Sequence, residues 1–352
     1  MQPMRPSPFT HAAAVALLGA MLAVLPACAQ DGERSGPLRE LLKERRAARQ
    51  AESGSGAPAA QGAINQPGTY TQTLQHDGIE RKYMVHVPRS YDGKKPVSLL
   101  LSFHGGGGHM EFQADDARYG QISASEREGF VVVFPNGYSR LPGGRLATWN
   151  AGGCCGPAKE RDIDDVGFAR AVVAAVTNQL NIDRQRVFAT GFSNGAMLTH
   201  RLACEASDVF RGIAPVAGTD NTVRCDPKQP VSVLIIHARN DDHNRFEGGA
   251  GAKSVDRGNM AQSTSVPETL NRWLGRNGCP RTPQRVLERP GASCERYAPC
   301  RGDTSVAICI TERGTHSWPG AEKSRSTESP SQAISANAVM WNFFLGRSLA
   351  QP

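Results

Sequence analysis

A serine set between two glycines, Gly191-Phe192-Ser193-Asn194-Gly195, is the first place where this chain offers chemistry. A Ser hydroxyl is a weak nucleophile until a neighbouring base takes its proton. The flanking glycines permit a sharp strand-to-helix turn that lifts the hydroxyl out at the carboxyl edge of a sheet. The pentapeptide alone is weak, because a glycine-rich chain meets it by accident and a Ser in a packing turn is the alternative. Its setting makes it specific. A short apolar run, Val187–Thr190, precedes it, and a helical pattern, Asn194–Cys204, follows.

The remaining parts of an acyl-transfer site follow in order. Leu99 to Gly108 reads LLLSFHGGGG, a buried strand running into His104 and four glycines. A loop of that kind can aim a backbone N–H at a developing oxyanion, and Gly106 is the expected donor, with the Asn194 amide as the second. A phosphate cradle is the rival for any glycine-rich loop, but the Lys-Ser/Thr of a P-loop is missing. His104 reads as structural. After the apolar run Val231–His237 comes Asn240-Asp241-Asp242-His243, where a carboxylate can orient an imidazole; Asp241 is the first choice and Asp242 the fallback. Gly314-Thr315-His316-Ser317-Trp318-Pro319-Gly320 follows the run Val306–Thr311, and His316 is the expected general base. His237, Asp241, Asp242 and His243 also read as metal ligands, but their alternation along a strand and loop points them in several directions. His86, His109 and His200 read as core or solvent-facing residues. The chemistry needs no metal and no organic cofactor.

The elements that must position these groups alternate between strand and helix. Tyr70–Gln75 and Arg81–Val87 flank His76-Asp77-Gly78 as a hairpin. Val97–Phe103 and Phe130–Pro135 are buried strands around a polar helical stretch, Glu111–Glu128. Asp165–Leu180 is a helix. The strands Ile213–Ala217, Val231–His237 and Val306–Thr311 follow, with helices at Pro267–Arg276 and Ser335–Leu345. This order implies an α/β fold, a mostly parallel central sheet with helices on both faces. There is no internal repeat and no second folded domain. The short stretch between Ile213–Ala217 and Asp241 leaves no room for a large lid.

The chain carries a formal charge of +7, or about +6 for a product starting at Cys28, since Arg5 is the only charge before it. That excess suits a solvated surface, and no nucleic-acid motif accompanies it. Arg5, the apolar run Ala12–Leu25 and Leu25-Pro26-Ala27-Cys28 read as an export signal, too short for a stable membrane span. Leu-x-Ala-Cys resembles a bacterial lipobox, which would anchor Cys28 to lipid, while Ala27-Cys28-Ala29 suits ordinary cleavage. The expectation is therefore an exported chain, periplasmic, secreted or membrane-anchored. Eight further cysteines, an even set, read as disulfides in such a compartment. Residues 29–68 hold a charged helical stretch, Pro37–Gln50, and a linker rich in Gly, Ala, Ser, Pro and Gln.

FHGGGG, ATWNAGGCCG (Ala147–Gly156), DDVGFAR (Asp164–Arg170), TGFSNGAML (Thr190–Leu198), RLACE (Arg201–Glu205) and THSWPG (Thr315–Gly320) together resemble one esterase family of the α/β-hydrolase superfamily. That family groups extracellular polyhydroxybutyrate depolymerases with feruloyl and acetyl-xylan esterases. The resemblance covers roughly Tyr70 to Leu345 and implies a catalytic domain over 69–352. Its register puts the acid on Asp241. Ala238 and Arg239 depart from the family's usual pair. The depolymerases usually have Cys where Gly106 stands, and often carry a polymer-binding domain after the catalytic part, whereas this chain stops at Pro352. A small or oligomeric soluble ester of the feruloyl type is the expected substrate, and polyester oligomers the alternative. Relatives bring the Trp149–Asn150 loop near the site, which makes Trp149 and Asn150, with Trp318, candidate substrate contacts; Trp149 in the core beside Cys154 and Cys155 is the other reading. The expected bridges run from Cys154 or Cys155 to Cys204, from Cys294 to Cys300 and from Cys279 to Cys309, although spacing alone leaves the pairing open. Two rivals stand beside the esterase: a peptidase with the same triad, and a non-catalytic envelope-binding lipoprotein. Nothing in the sequence indicates the oligomeric state.

Overall fold

Alternation along the apolar runs decides which side each residue covers. In a strand, successive side chains point to opposite faces, so a run that is apolar throughout must be covered twice. A computed structural model describes residues 62–254, 263–324 and 328–350, which belong to a unit beginning at Pro58. The expected signal, Cys28, the charged helix and most of the linker lie outside the described residues. In chain order the strands are β1 (Gly68–His76), β2 (Ile79–Val87), β3 (Val97–Phe103), β4 (Val131–Pro135), β5 (Ile182–Phe192), β6 (Gly212–Val216), β7 (Ser232–Ala238), β8 (Gln284–Arg289), β9 (Ala292–Tyr297) and β10 (Val306–Thr311). They form one sheet in the order β1-β2-β4-β3-β5-β6-β7-β10-β9-β8. The six central strands, β4 to β10 in that order, run parallel, with antiparallel pairs at each end.

The helices are α1 (Met110–Gln113), α2 (Asp116–Tyr119), α3 (Gln121–Glu128), α4 (Gly156–Glu160), α5 (Asp165–Thr177), α6 (Asn194–Glu205), α7 (Val266–Asn277) and α8 (Ala336–Phe344). Leu99, Leu101, Val187, Ile213 and Val233 join Phe168, Leu198 and Trp273 from α5, α6 and α7 in one core. Their neighbours Leu100, Phe188, Ala214 and Leu234 join Ala124, Met340 and Trp341 from α3 and α8 in the other. Each large apolar side chain fully buried in this way contributes about 1.5–3 kcal/mol. This is the α/β architecture that the alternation implies. Among the described residues no helix is long and apolar enough to cross a membrane.

Three features differ from expectation. The stretch Glu111–Glu128 is three short helices, because the Asp115 carboxylate caps a new start at the Ala117 amide and Gly120, at φ 60°, ends α2 in the left-handed region. The hairpin β8–β9 extends the sheet beyond β10. The disulfides are Cys154–Cys155, Cys204–Cys225, Cys279–Cys300 and Cys294–Cys309, so none of the expected bridges forms. Register is the cause for one of them: Cys294 lies directly opposite Cys309 across β9 and β10. That leaves Cys300, just past β9, for Cys279 at the end of α7.

Candidate active site

Ser193 stands at the turn from β5 into α6 with φ 56° and ψ −118°. A non-glycine residue held there costs about 1–3 kcal/mol, and such strain is a mark of functional turns. The surrounding contacts enforce it. A Cβ on Gly191 would meet Gly195 C at 2.5 Å, and one on Gly195 would meet Phe103 O at 2.3 Å. Only glycine passes at either position. The Ser193 amide donates to Val216 O at 2.9 Å, tying the turn to β6.

The glycine loop after β3 lies against this turn. A Cβ built on Gly106 would stand 3.5 Å from Asn194 Cβ, so the two residues expected to supply amides are side by side. The Gly107 amide donates to Ala147 O and the Gly108 amide to Gly105 O. Gly106 N–H and Asn194 N–H have no protein acceptor among the described residues. His104 holds the loop from beneath. It is fully buried, its Nε2 accepts the Gly137 N–H at 2.9 Å, and the proton this leaves on Nδ1 is donated to Gly105 O at 2.8 Å.

β7 and β10 are adjacent parallel strands, so the loops at their carboxyl ends meet. Asp241, from the first loop, is buried. Its Oδ1 accepts the His243 and Asn244 amides, each at 2.8 Å, and its Oδ2 accepts the Nδ1–H of His316 at 2.8 Å. Burial alone raises this carboxyl, but the charge and hydrogen bond of His316, with His237 and the His243 amide, draw it down to about 2. It is therefore ionised at neutral pH. Asp242 turns elsewhere, to His243 Nδ1 and Lys253 Nζ, both at 2.7 Å. His237 is buried and donates from Nε2 to Asn244 O at 2.8 Å. His316 comes from the second loop, whose Thr315 amide donates to Asn240 Oδ1 at 3.0 Å.

Ser193, Asn194, Gly106, His243 and His316 open onto one cleft of about 420 Å³, within the usual size of a small-molecule site. Tyr119, Leu146, Phe192, Met197 and Trp318 give it apolar walls, and the exposed Glu160 and Lys323 also line it. Among the described residues no hydrogen bond joins Ser193 to His316. Asp241, His243 and His316 offer three ligand atoms within 4.8 Å of one another. They fit a metal poorly, because the His243 and His316 rings stack with only 17° between their planes. Imidazole lone pairs lie in the ring plane, so those of stacked rings do not converge on one ion, and both Asp241 oxygens are already bonded.

Trp318 is on the cleft wall, edge-on to Tyr119 at 5.5 Å. Trp149 and Asn150 are not. Trp149 is fully buried, edge-on to Phe103 at 5.1 Å, and its Nε1–H donates to His104 O at 2.8 Å. Asn150 donates to Asp165 from its amide and to Asp162 and Ile163 O from its side chain. The loop turns inward because the buried Arg81–Asp165 pair needs that amide to satisfy its carboxylate. Tyr119, Phe192, Leu146 and His243 were not anticipated in the cleft. Phe192 and His243 were findable, being the immediate neighbour of Ser193 and the second residue after Asp241.

Residues 119–229 match the prolyl oligopeptidase family. The chain is similar to feruloyl esterase B of Piromyces equi, 28% identical over 244 residues, which is 67% of this chain but 42% of that longer protein. It is similar to feruloyl esterase C of Emericella nidulans, 29% identical over 229 residues, 62% of this chain and 77% of that protein. Among solved structures, an acetyl xylan esterase from Aspergillus awamori superposes with a TM-score of 0.50 at 16% identity, over 70% of this chain and 94% of that one. The fold is that of the α/β-hydrolases.

Proposed function

We propose that this chain, an esterase of the α/β-hydrolase superfamily, cleaves small or oligomeric carboxylic esters of the feruloyl type through Ser193, His316 and Asp241. Ser193 Oγ attacks the ester carbonyl while His316 Nε2 takes its proton, and the ionised Asp241 holds the imidazole in the tautomer that leaves Nε2 free. The Gly106 and Asn194 amides receive the tetrahedral oxyanion. The alcohol departs with the proton from His316, and water repeats the sequence on the acyl-enzyme. The observation that carries this reading is the 2.8 Å bond from His316 to a buried, ionised Asp241, beside a strained Ser193 in the same cleft. The similarity to feruloyl esterases and the apolar walls support an aryl or short acyl group. The four disulfides and the leader sequence support export.

p-Nitrophenyl acetate and a fluorophosphonate probe, run beside Ser193→Ala, test the chemistry. Hydrolysis and labelling that both vanish in the variant are expected; a variant as active as the parent sinks the proposal. Feruloyl, acetyl-xylan and hydroxybutyrate-oligomer substrates then rank the acyl group. The prolyl oligopeptidase match favours a second reading, a peptidase. Release of nitroaniline from prolyl p-nitroanilides faster than nitrophenol from the esters would select it.

A further inference from the structure

His243 has no part in the chemistry above, yet it touches both groups that prepare the nucleophile. Its ring stacks on His316 with centroids 4.4 Å apart and 17° between planes. Its backbone amide donates to Asp241 Oδ1 at 2.8 Å. Phe192 approaches His316 as well, at 4.6 Å and 40°. Phe192 and His243 make no ring contact with each other among the described residues, so they approach the imidazole from separate directions. Three partners therefore constrain the proposed base: Asp241 by a hydrogen bond, His243 by a stacked ring and Phe192 by a tilted one.

His243 is itself tethered. Asp242 bonds its Nδ1 at 2.7 Å, and Lys253 bonds the other Asp242 oxygen at 2.7 Å. A carboxylate only accepts, so the ring proton sits on Nδ1. Burial and the neighbouring His316 push its protonation below the ordinary histidine range, against the pull of Asp242 and Asp241. A neutral ring is thus what His316 meets at neutral pH. Such a ring presents an electron-rich face, which attracts a cation placed over it. His316 becomes that cation twice in each turnover, once when Ser193 attacks and once when water does.

Resting on the triad reading, we infer that His243 is a positioning residue for the general base: it fixes the plane of the His316 imidazole and offers its neutral face to the imidazolium. A His316 free to rotate loses alignment with Ser193, and small misplacements of a catalytic group are costly in rate. The role separates binding from turnover, because the stack acts on the base and not on the substrate.

Three variants read it: His243→Ala, which removes the ring; His243→Phe, which keeps a neutral ring; and His243→Lys, which sets a cation beside the base. With p-nitrophenyl acetate at pH 7.5, the alanine variant should lower kcat about tenfold while KM stays within about threefold. Phenylalanine should restore kcat to within about threefold of the parent, and lysine should fall below alanine. Melting temperatures taken alongside identify any variant that does not fold, and the other two still decide. Unchanged kcat in all folded variants, a change confined to KM, or phenylalanine no better than alanine overturns the inference. If Ser193→Ala retains full hydrolysis in the same assay, the triad reading fails instead.

Discussion

The side-chain amide of Asn194 holds the backbone of Trp149 at both ends: the Trp149 N–H donates to Oδ1 at 2.8 Å, and Nδ2 donates to Trp149 O at 3.0 Å. The residue that follows the proposed nucleophile thus fastens a distant loop to the helix behind it. Arg201, one face further along α6, adds a bond from Nη1 to Asn150 O at 2.9 Å. The loop is pinned by hydrogen bonds, where a disulfide to Cys204 was expected.

Asn194→Ala keeps the backbone amide proposed for the oxyanion but strands the buried Trp149 N–H, while Trp149 O keeps the Cys155 amide at 3.2 Å. It should cost about 1–3 kcal/mol, the usual penalty for one buried polar group left unpaired. Urea unfolding measures the loss, and a midpoint unmoved from the parent's would show that the clasp contributes nothing.

Asp241→Asn preserves size and can still accept the His243 and Asn244 amides, but it no longer supplies the charge that fixes the His316 tautomer. kcat should fall about 10³–10⁴-fold with KM little altered, the scale seen when a triad acid is made neutral. A decrease under tenfold would assign the orienting role elsewhere.

Legibility followed locality. Ser193 and its glycines were readable because strand, turn and helix are contiguous, and because Gly191 and Gly195 are demanded by contacts within that same segment. The proposed acid and base, Asp241 and His316, are readable by order, each just past a strand. What failed depended on partners far away in sequence. Cys294 finds Cys309 only once β9 pairs with β10, and β8 and β9 themselves, QRVLER and ASCERY around Pro290-Gly291, lack the apolar run by which the central strands were found. Trp149 was a fair candidate for the cleft until the Asn194 clasp and the Arg81–Asp165 pair turned its loop inward. In the sequence His243 reads as a metal ligand, because the stacking that sets its ring plane depends on His316, far along the chain.

His200, fully buried on α6, accepts the Trp273 Nε1–H on Nδ1 at 2.9 Å. Burial, with Arg276 and Arg272, pushes its pKa down to about 4 against the pull of Asp220. Above about pH 6.5 the histidine is neutral in both folded and unfolded chains and has no effect. Between there and about 4 only the unfolded chain takes the proton, so stability falls with pH, by about 2 kcal/mol at pH 5 from this group. His200→Gln keeps an acceptor for Trp273 and cannot titrate. Its loss of unfolding free energy from pH 7 to pH 5 should be about 2 kcal/mol smaller than the parent's; equal losses would assign the acid sensitivity to other groups.

Peptide mapping without reductant should recover Cys294 joined to Cys309 and Cys279 joined to Cys300. Replacing Cys294 and Cys309 together by Ser opens a loop with a sequence separation of 15 and should cost about 3 kcal/mol. Recovery of Cys294 linked to Cys300 would contradict the β9–β10 register.

The hairpin beyond β10 changes where the sheet is vulnerable. A strand on a rim exposes unpaired amides and carbonyls on which another chain can build. Here the strand leading into the His316 loop has neighbours on both sides, β7 and β9, and the rim lies two strands further out, on β8. Arg285, Glu288 and Arg289 charge that rim, and Arg285 is paired with Glu288 and Glu295. Self-association along this border would meet charge first, and would reach the hairpin before it disturbed the strand that leads to the proposed base.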